Sequence, residues 1–419
     1  MAFPVFDVIE AELLASIVLP PPPPVPPIVQ VTNSTGPNSF STPSLSGDGL
    51  HVAFSSFQNL TGQNVDGNSE IYLWTWASGF TQITNTLPTG SISDTNTCPS
   101  ITSDGSRVAF VSGHDLVPGS PGNSDGTMEI FLWTKGVGIT QITNATYSYP
   151  GSVGCPAITP DGKKIGFQST ADFTGDNPER NVEVFLWSES DGFRQITNTA
   201  GFVSPVLGPV AVNADGTRIA FVSRNNITGE NPVNLDQLFI WDGIGVTQIP
   251  YTVLSGLGGA YSGGGFSLSA DGTRIAYVSS GNFVGNNPDR NPEIYLWIDG
   301  SGISQITDAF RDAPLRLDYG SACPAISADG QSIVFFSLVD VTAPNPSPDA
   351  INGRIFRWTQ NIGITQLTST TAPLFSGCPI SSSASGAVFS FASNADLSPG
   401  NPGNADANVE LFLMNTSTP

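Results

Sequence analysis

One unit recurs seven times along the 419 residues, and its spacing constrains the fold more than any other feature. An apolar run closes on Trp74, Trp133, Trp187, Trp241, Trp297 and Trp358, with Met414 in the seventh place, at intervals of 54 to 61 residues. Upstream of each lies an Asp-Gly pair between two β-like runs, at 48–49, 104–105, 161–162, 215–216, 271–272 and 329–330, replaced by Ser385-Gly386 in the last unit. Asp-Gly between such runs marks a tight hairpin, because both turn positions require positive φ. Downstream comes a Gln phrase: FTQITN (80–85), ITQITN (139–144), FRQITN (193–198), VTQIP (246–250), ISQITD (303–308) and ITQLTS (364–369). Each unit therefore spells four short strands: A before the Asp-Gly turn, B after it, C ending at Trp, and D carrying Gln. A four-stranded sheet cannot bury both faces alone, so seven of them predict an all-β, seven-bladed propeller of antiparallel blades.

The seventh unit stops after strand C (ELFLMN, 410–415), while the phrase IVQVTN stands orphaned at 28–33. The orphan predicts that the N-terminal strand completes the last blade, with Val29 and Val31 beside Phe412. Gln30 then matches Gln82, Gln141, Gln195, Gln248, Gln305 and Gln366, one per blade, and is read as a residue that bonds nearby backbone. The chain divides into an arm, residues 1–27, and a ring, residues 28–419.

The repeat P-x-[IL]-S-x-D-G-x-x-[IV]-A-F-x-S, as in CPSITSDGSRVAFVS (98–112), followed by strand C and Q-[IVL]-T, resembles the TolB-like β-propeller repeat family over residues 28–415. The resemblance implies the fold and says little about activity, since such propellers serve as periplasmic scaffolds, as caps over peptidase sites and as lyases. The chain departs from the pattern in its Trp at the end of strand C and in its long B–C loops.

Composition agrees with short strands and many turns: Gly 45, Pro 34 and only 12% charged residues. A net charge of −21 argues against nucleic acid or an anionic membrane as partner. No stretch is long and apolar enough to span a bilayer. The first basic residue is Arg107, so no standard signal peptide with a basic leader is visible. The polar, Lys-poor composition nevertheless suggests an extracytoplasmic setting: periplasm, cell surface or secreted.

The B–C loops exceed what a propeller needs. Five of them place oxygen-bearing side chains at alternate residues. These are Asn64, Asp66, Asn68 and Glu70 in blade one, and Asn123, Asp125, Thr127 and Glu129 in blade two. Blade three has Asn177, Glu179, Asn181 and Glu183; blade five has Asn287, Asp289, Asn291 and Glu293; blade seven has Asn404, Asp406, Asn408 and Glu410. Calcium takes six to eight oxygens from such groups, so all twenty are candidate ligands for structural Ca2+. The competing reading makes Asn and Asp turn-formers and Glu a solvated strand start. In blades four and six the Glu gives way to Gln237 and Arg354 and the alternation fails, so no metal is expected there.

Cys98, Cys155, Cys323 and Cys378 open strand A in blades two, three, six and seven. Equivalent positions face the same rotational way, which favours small buried hydrophobes over interblade disulfides. The Trp residues are read as wedges between blades. There are two separated histidines, no Cys-x-x-Cys and no G-x-S-x-G elbow, so no catalytic constellation is visible.

In the arm, Phe6, Ile9, Leu13 and Ile17 fall at helical spacing ahead of a polyproline spacer, and are read as a docking face for a protein partner or a neighbouring copy. The function favoured by these features is a non-catalytic binding or scaffold propeller, engaging a partner through its loop face and arm. A hydrolase or lyase acting on a carbohydrate or peptide at the axial pocket, and a carbohydrate-binding module, are the alternatives.

Overall fold

The computed structural model describes residues 28–34, 43–90, 95–119, 121–145, 153–199, 208–232, 234–251, 265–309, 320–342, 353–368, 380–398 and 403–417. The arm residues Phe6, Ile9, Leu13 and Ile17 lie outside them. Seven four-stranded antiparallel sheets form the ring, with no helix among the described residues. Blade one is typical: strands A to D are Ser44–Leu45, His51–Ser56, Glu70–Thr75 and Gly79–Gln82. The inner A strands touch the A strands of neighbouring blades, which puts them around the axis.

The ring closes as the sequence predicts. Strand Ile28–Gln30 pairs antiparallel with Glu410–Asn415, with Ile28 opposite Met414, Val29 opposite Leu413 and Gln30 opposite Phe412. The Val31 amide extends the ladder to the Leu411 carbonyl at 2.7 Å. Between blades seven and one, Val31, Leu411 and Leu413 pack against Leu45, Val52, Phe54, Tyr72 and Trp74. Each further blade joint carries an equivalent apolar cluster, and the strand C tryptophans border these clusters as interblade wedges. The conserved-in-place Gln residues bond local backbone, as expected: Nε2 of Gln141, Gln195 and Gln305 donates to the carbonyl two residues on at 2.8–2.9 Å. Their Oε1 atoms can also take a bond from the B–C loop, as Gln82 does from Thr61 at 2.7 Å.

Antiparallel pairing puts the Asp-Gly turns and the short C–D turns at one end of the ring, and the described B–C loops at the other. The Asp-Gly end is stitched blade to blade by main-chain bonds: Asp48 N to Ser103 O, Ser103 N to Pro160 O, Ala214 N to Ala270 O, Ala270 N to Ala328 O, Ala328 N to Ala384 O, and Ala384 N to Gly47 O, all 2.9–3.0 Å. Where an Arg follows the turn, it adds a second tie. Arg107, Arg218 and Arg274 reach across to the carbonyls of Gly162, Gly272 and Gly330, each at 3.1 Å. These arms run so close over the next turn that a Cβ on Gly162 would meet Arg107 Cδ at 2.6 Å; the turn glycine serves its own positive φ and its neighbour's side chain together.

The turn aspartates accept backbone and hydroxyl bonds, which set a pH dependence. At Asp104 the Ser106 amide, then the Ser106 and Thr102 hydroxyls, hold the carboxyl down from 3.8 to about 2. Asp215 and Asp329 are lowered in the same way, chiefly by Thr217 and Ser327. A depressed carboxylate contributes stability above its unfolded pKa and loses it as the pH falls through the folded value. These aspartates therefore lose their contribution between about pH 4 and pH 2, where the melting temperature is expected to fall, with Asp104→Asn flattening part of that slope. A melting temperature constant over that range would contradict the assignment.

The cysteine expectation needs correction. Cys98 and Cys155 form an interblade disulfide, and Cys323 is disulfide-bonded as well. The remaining cysteine, Cys378, lies outside the described residues. Counting equivalent strand positions failed because Cys98 and Cys323 sit in bulges, between Thr97 and Ser100 and between Ala322 and Ala325, at φ of +55° and +56°. A bulged residue turns its side chain out of the strand's alternation, here toward the next blade. Disulfides fit an oxidising compartment, and no described helix is long and apolar enough to cross a membrane.

Candidate functional site

The five B–C loops share one conformation. In each, the first Asn is buried and its Nδ2 donates to the carbonyl four residues on: Asn64 to Asn68, Asn123 to Thr127, Asn177 to Asn181, Asn287 to Asn291 and Asn404 to Asn408, at 2.7–2.9 Å. Its own amide is capped by the loop entry, as Asn64 N is by Asn59 Oδ1 at 3.0 Å and Asn177 N by Asp172 Oδ1 at 3.2 Å. Between them the chain makes a left-handed step at Gly67, Gly126, Arg180, Arg290 or Ala407. Asp66, Asp125, Glu179, Asp289 and Asp406 sit at the exposed tip.

The closing glutamates are not solvated. Glu70, Glu129, Glu183, Glu293 and Glu410 are 0–1% exposed. Each carboxylate clamps strand C to strand D by accepting from the Thr of the Gln-Ile-Thr phrase: Thr84, Thr143, Thr197, Thr307 and Thr32. Each also takes the backbone amide two residues later, at 2.6–2.8 Å from Thr86, Ala145, Thr199, Ala309 and Ser34. In blade one, Asn96 of the next blade adds a bond at 3.3 Å. Burial pushes the Glu129 carboxyl up to about 7 and that of Glu293 up to about 8, against the pull of these donors. Where Glu is missing, blade six pairs Arg354 with Asp340 at 3.3 Å and blade four pairs Arg224 with Asp236 at 2.8 Å.

The loop positions converge on oxygen. In blade two the Thr127 hydroxyl lies 3.2 Å from Asn123 Oδ1, 3.0 Å from Asp125 Oδ1, 2.9 Å from Glu129 Oε1 and 3.2 Å from the Ala145 carbonyl. In the other four loops an Asn occupies that place. Its Nδ2 turns to the D strand's exit, as Asn181 does to Thr199 O at 2.6 Å and Glu183 Oε1 at 2.9 Å. Among the described residues no three Asp, Glu, His or Cys side chains gather at one point. Each of these loops carries one exposed carboxylate, flanked in sequence by the two residues whose side chains are enclosed.

The chain matches no family model and no curated protein. Solved structures share its ring. The β-propeller domain of the Trilobed protease from Pyrococcus furiosus is 13% identical, with 90% of this chain and 96% of that one covered at a TM-score of 0.52. An oligogalacturonate lyase from Vibrio parahaemolyticus is 13% identical, with 93% of each chain covered at a TM-score of 0.54. TolB from Acinetobacter baumannii is 17% identical over 78% of each chain, at a TM-score of 0.39. The propeller expected from the repeat stands at the level of the fold: seven four-stranded antiparallel blades closed by the N-terminal strand. The reading as a non-catalytic scaffold does not stand. Structures that correspond over nearly the whole ring are a lyase and a protease's propeller domain.

Proposed function

We propose that the chain is a carbohydrate-cleaving enzyme, with substrate entering the axial pocket from the end that carries the B–C and D–A connections. One observation carries the reading: the described B–C loops stand at that end, whereas the Asp-Gly end has tight turns drawn together by interblade bonds. A groove for a chain-like substrate needs long loops around a concave opening, and only one end of this ring supplies them. The correspondence with oligogalacturonate lyase over 93% of both chains supports carbohydrate as the substrate class.

Charge narrows the class. At −21 the protein repels a polyuronate, so a neutral glycan is the better substrate. Elimination requires a uronate carboxyl to acidify the neighbouring proton; a neutral glycan is cleaved by hydrolysis, the work of two carboxyl groups across the scissile bond. The test is incubation of the full chain with neutral and uronate oligosaccharides, read for new reducing ends and for unsaturated products. New reducing ends from neutral substrates, without unsaturation, support the proposal. Turnover of uronates alone, or of neither set, overturns it.

A further inference from the structure

Among the described residues, eight of the ten buried amide oxygens that accept no hydrogen bond fall in four B–C loops; Asn96 and Gln141 carry the other two. The Oδ1 atoms of Asn64 and Asn68, Asn177 and Asn181, Asn287 and Asn291, and Asn404 and Asn408 are enclosed and accept no hydrogen bond. Their amide orientation is fixed, because each Nδ2 already donates to a carbonyl. Six of the eight residues are 1–3% exposed: Asn64, Asn177, Asn181, Asn287, Asn291 and Asn404. An acceptor left this way costs about 1–3 kcal/mol, and the same pair recurs in blades one, three, five and seven.

The remaining loops show what satisfies such an oxygen when the protein does it alone. In blade two the Thr127 hydroxyl lies against Asn123 Oδ1. In blade four the Leu235 amide donates to Asn231 Oδ1 at 3.1 Å. Neither loop has Asn at the fifth position, and neither leaves that first oxygen orphaned. The paired-Asn loops present two amide oxygens with a carboxylate between them in sequence, and a buried Glu behind. The tip carboxylate reaches the loop's fifth residue in two blades: Asp125 Oδ1 accepts from the Thr127 hydroxyl and Asp406 Oδ2 accepts from Asn408 Nδ2, each at 3.0 Å. A water has two protons for at least three acceptors; a hard cation meets all of them.

We propose that the B–C loops of blades one, three, five and seven bind calcium, each through two asparagine Oδ1 atoms and the intervening carboxylate of Asp66, Glu179, Asp289 or Asp406. The clamping glutamates stand behind the ion as acceptors already engaged by Thr and backbone donors. Water fills the remaining positions, since calcium takes six to eight oxygens. One carboxylate per site places the affinity in the weak range of extracellular modules, about 10⁻⁴–10⁻³ M. The proposal is independent of the carbohydrate reading.

Equilibrium dialysis of the full chain against calcium chloride tests it, with thermal melting in parallel. The expected result is about four ions per chain and a higher melting temperature at roughly millimolar calcium. The combined variant Asp66→Asn, Glu179→Gln, Asp289→Asn, Asp406→Asn changes only exposed side chains, so it folds, and it loses both uptake and the calcium-dependent shift. Thr127→Asn gives blade two the paired-Asn loop and adds a fifth ion. Absence of uptake up to about 10 mM calcium, well above the expected range, overturns the proposal. So does uptake that the combined variant leaves unchanged.

Discussion

Truncation through Ser34 is expected to abolish cooperative folding of the ring. Glu410 is fully buried, and its donors come from that segment: the Thr32 hydroxyl, and the Ser34 amide and hydroxyl at 2.8 Å. Removing one side of a buried charged interaction costs about 3–5 kcal/mol. The same truncation takes buried Val31, worth roughly 1.5–3 kcal/mol, and half-buried Val29 from the cluster between blades seven and one. The sum approaches the whole stability of a typical protein, about 5–15 kcal/mol. Calorimetry should show no sharp transition for the truncated chain, and a synthetic peptide of residues 28–34 should restore one. A truncated chain that melts within a few degrees of the full one would refute the closure argument.

Glu70→Ala is expected to be among the most damaging single substitutions outside the apolar clusters. Glu70 accepts from the Thr84 hydroxyl, the Thr86 amide, the Thr86 hydroxyl and Asn96, so alanine strands several buried donors at once. Each orphaned donor costs about 1–3 kcal/mol, and a loss of at least about 3 kcal/mol is expected. Glu70→Gln keeps an acceptor oxygen, as Gln237 does at the same place in blade four, and should cost less. Urea denaturation checks this: the midpoint should fall with an unchanged slope. Equal midpoints for wild type and Glu70→Ala would show the clamp to be ornamental.

The parts legible in the sequence were those written as period and turn. Six Asp-Gly pairs and one Ser-Gly, six Gln phrases and one displaced phrase at 28–33 define blades, strands and closure, because local turn chemistry and strand alternation suffice for them. The glutamates were misread as solvated strand starts because their partners lie 14 to 16 residues away, visible only once strands C and D are in register. The bonding of Cys98 was missed because one left-handed residue in a bulge reverses the direction of a side chain. Nothing in the sequence marks Arg107, Arg218 and Arg274 as ties between blades; only the stacking of blades shows them lying across the next turn. Activity is least legible, since repeated residues serve the scaffold seven times over and a reactive group needs to occur only once.

The stitching at the Asp-Gly end has one exception, and it falls far from the place where the chain's ends meet. Pro160 accepts from Ser103 but has no N–H to pass on to blade four. At that joint two side chains stand in: Lys164 Nζ on the Asp215 carbonyl at 2.6 Å, and buried Gln168, which donates to the Val222 carbonyl at 2.8 Å and accepts from Gly208. Six joints of the circle rest on atoms every residue possesses, and are indifferent to mutation in that respect. The seventh is a matter of residue identity, so genetic drift can loosen this ring most readily between its third and fourth sectors.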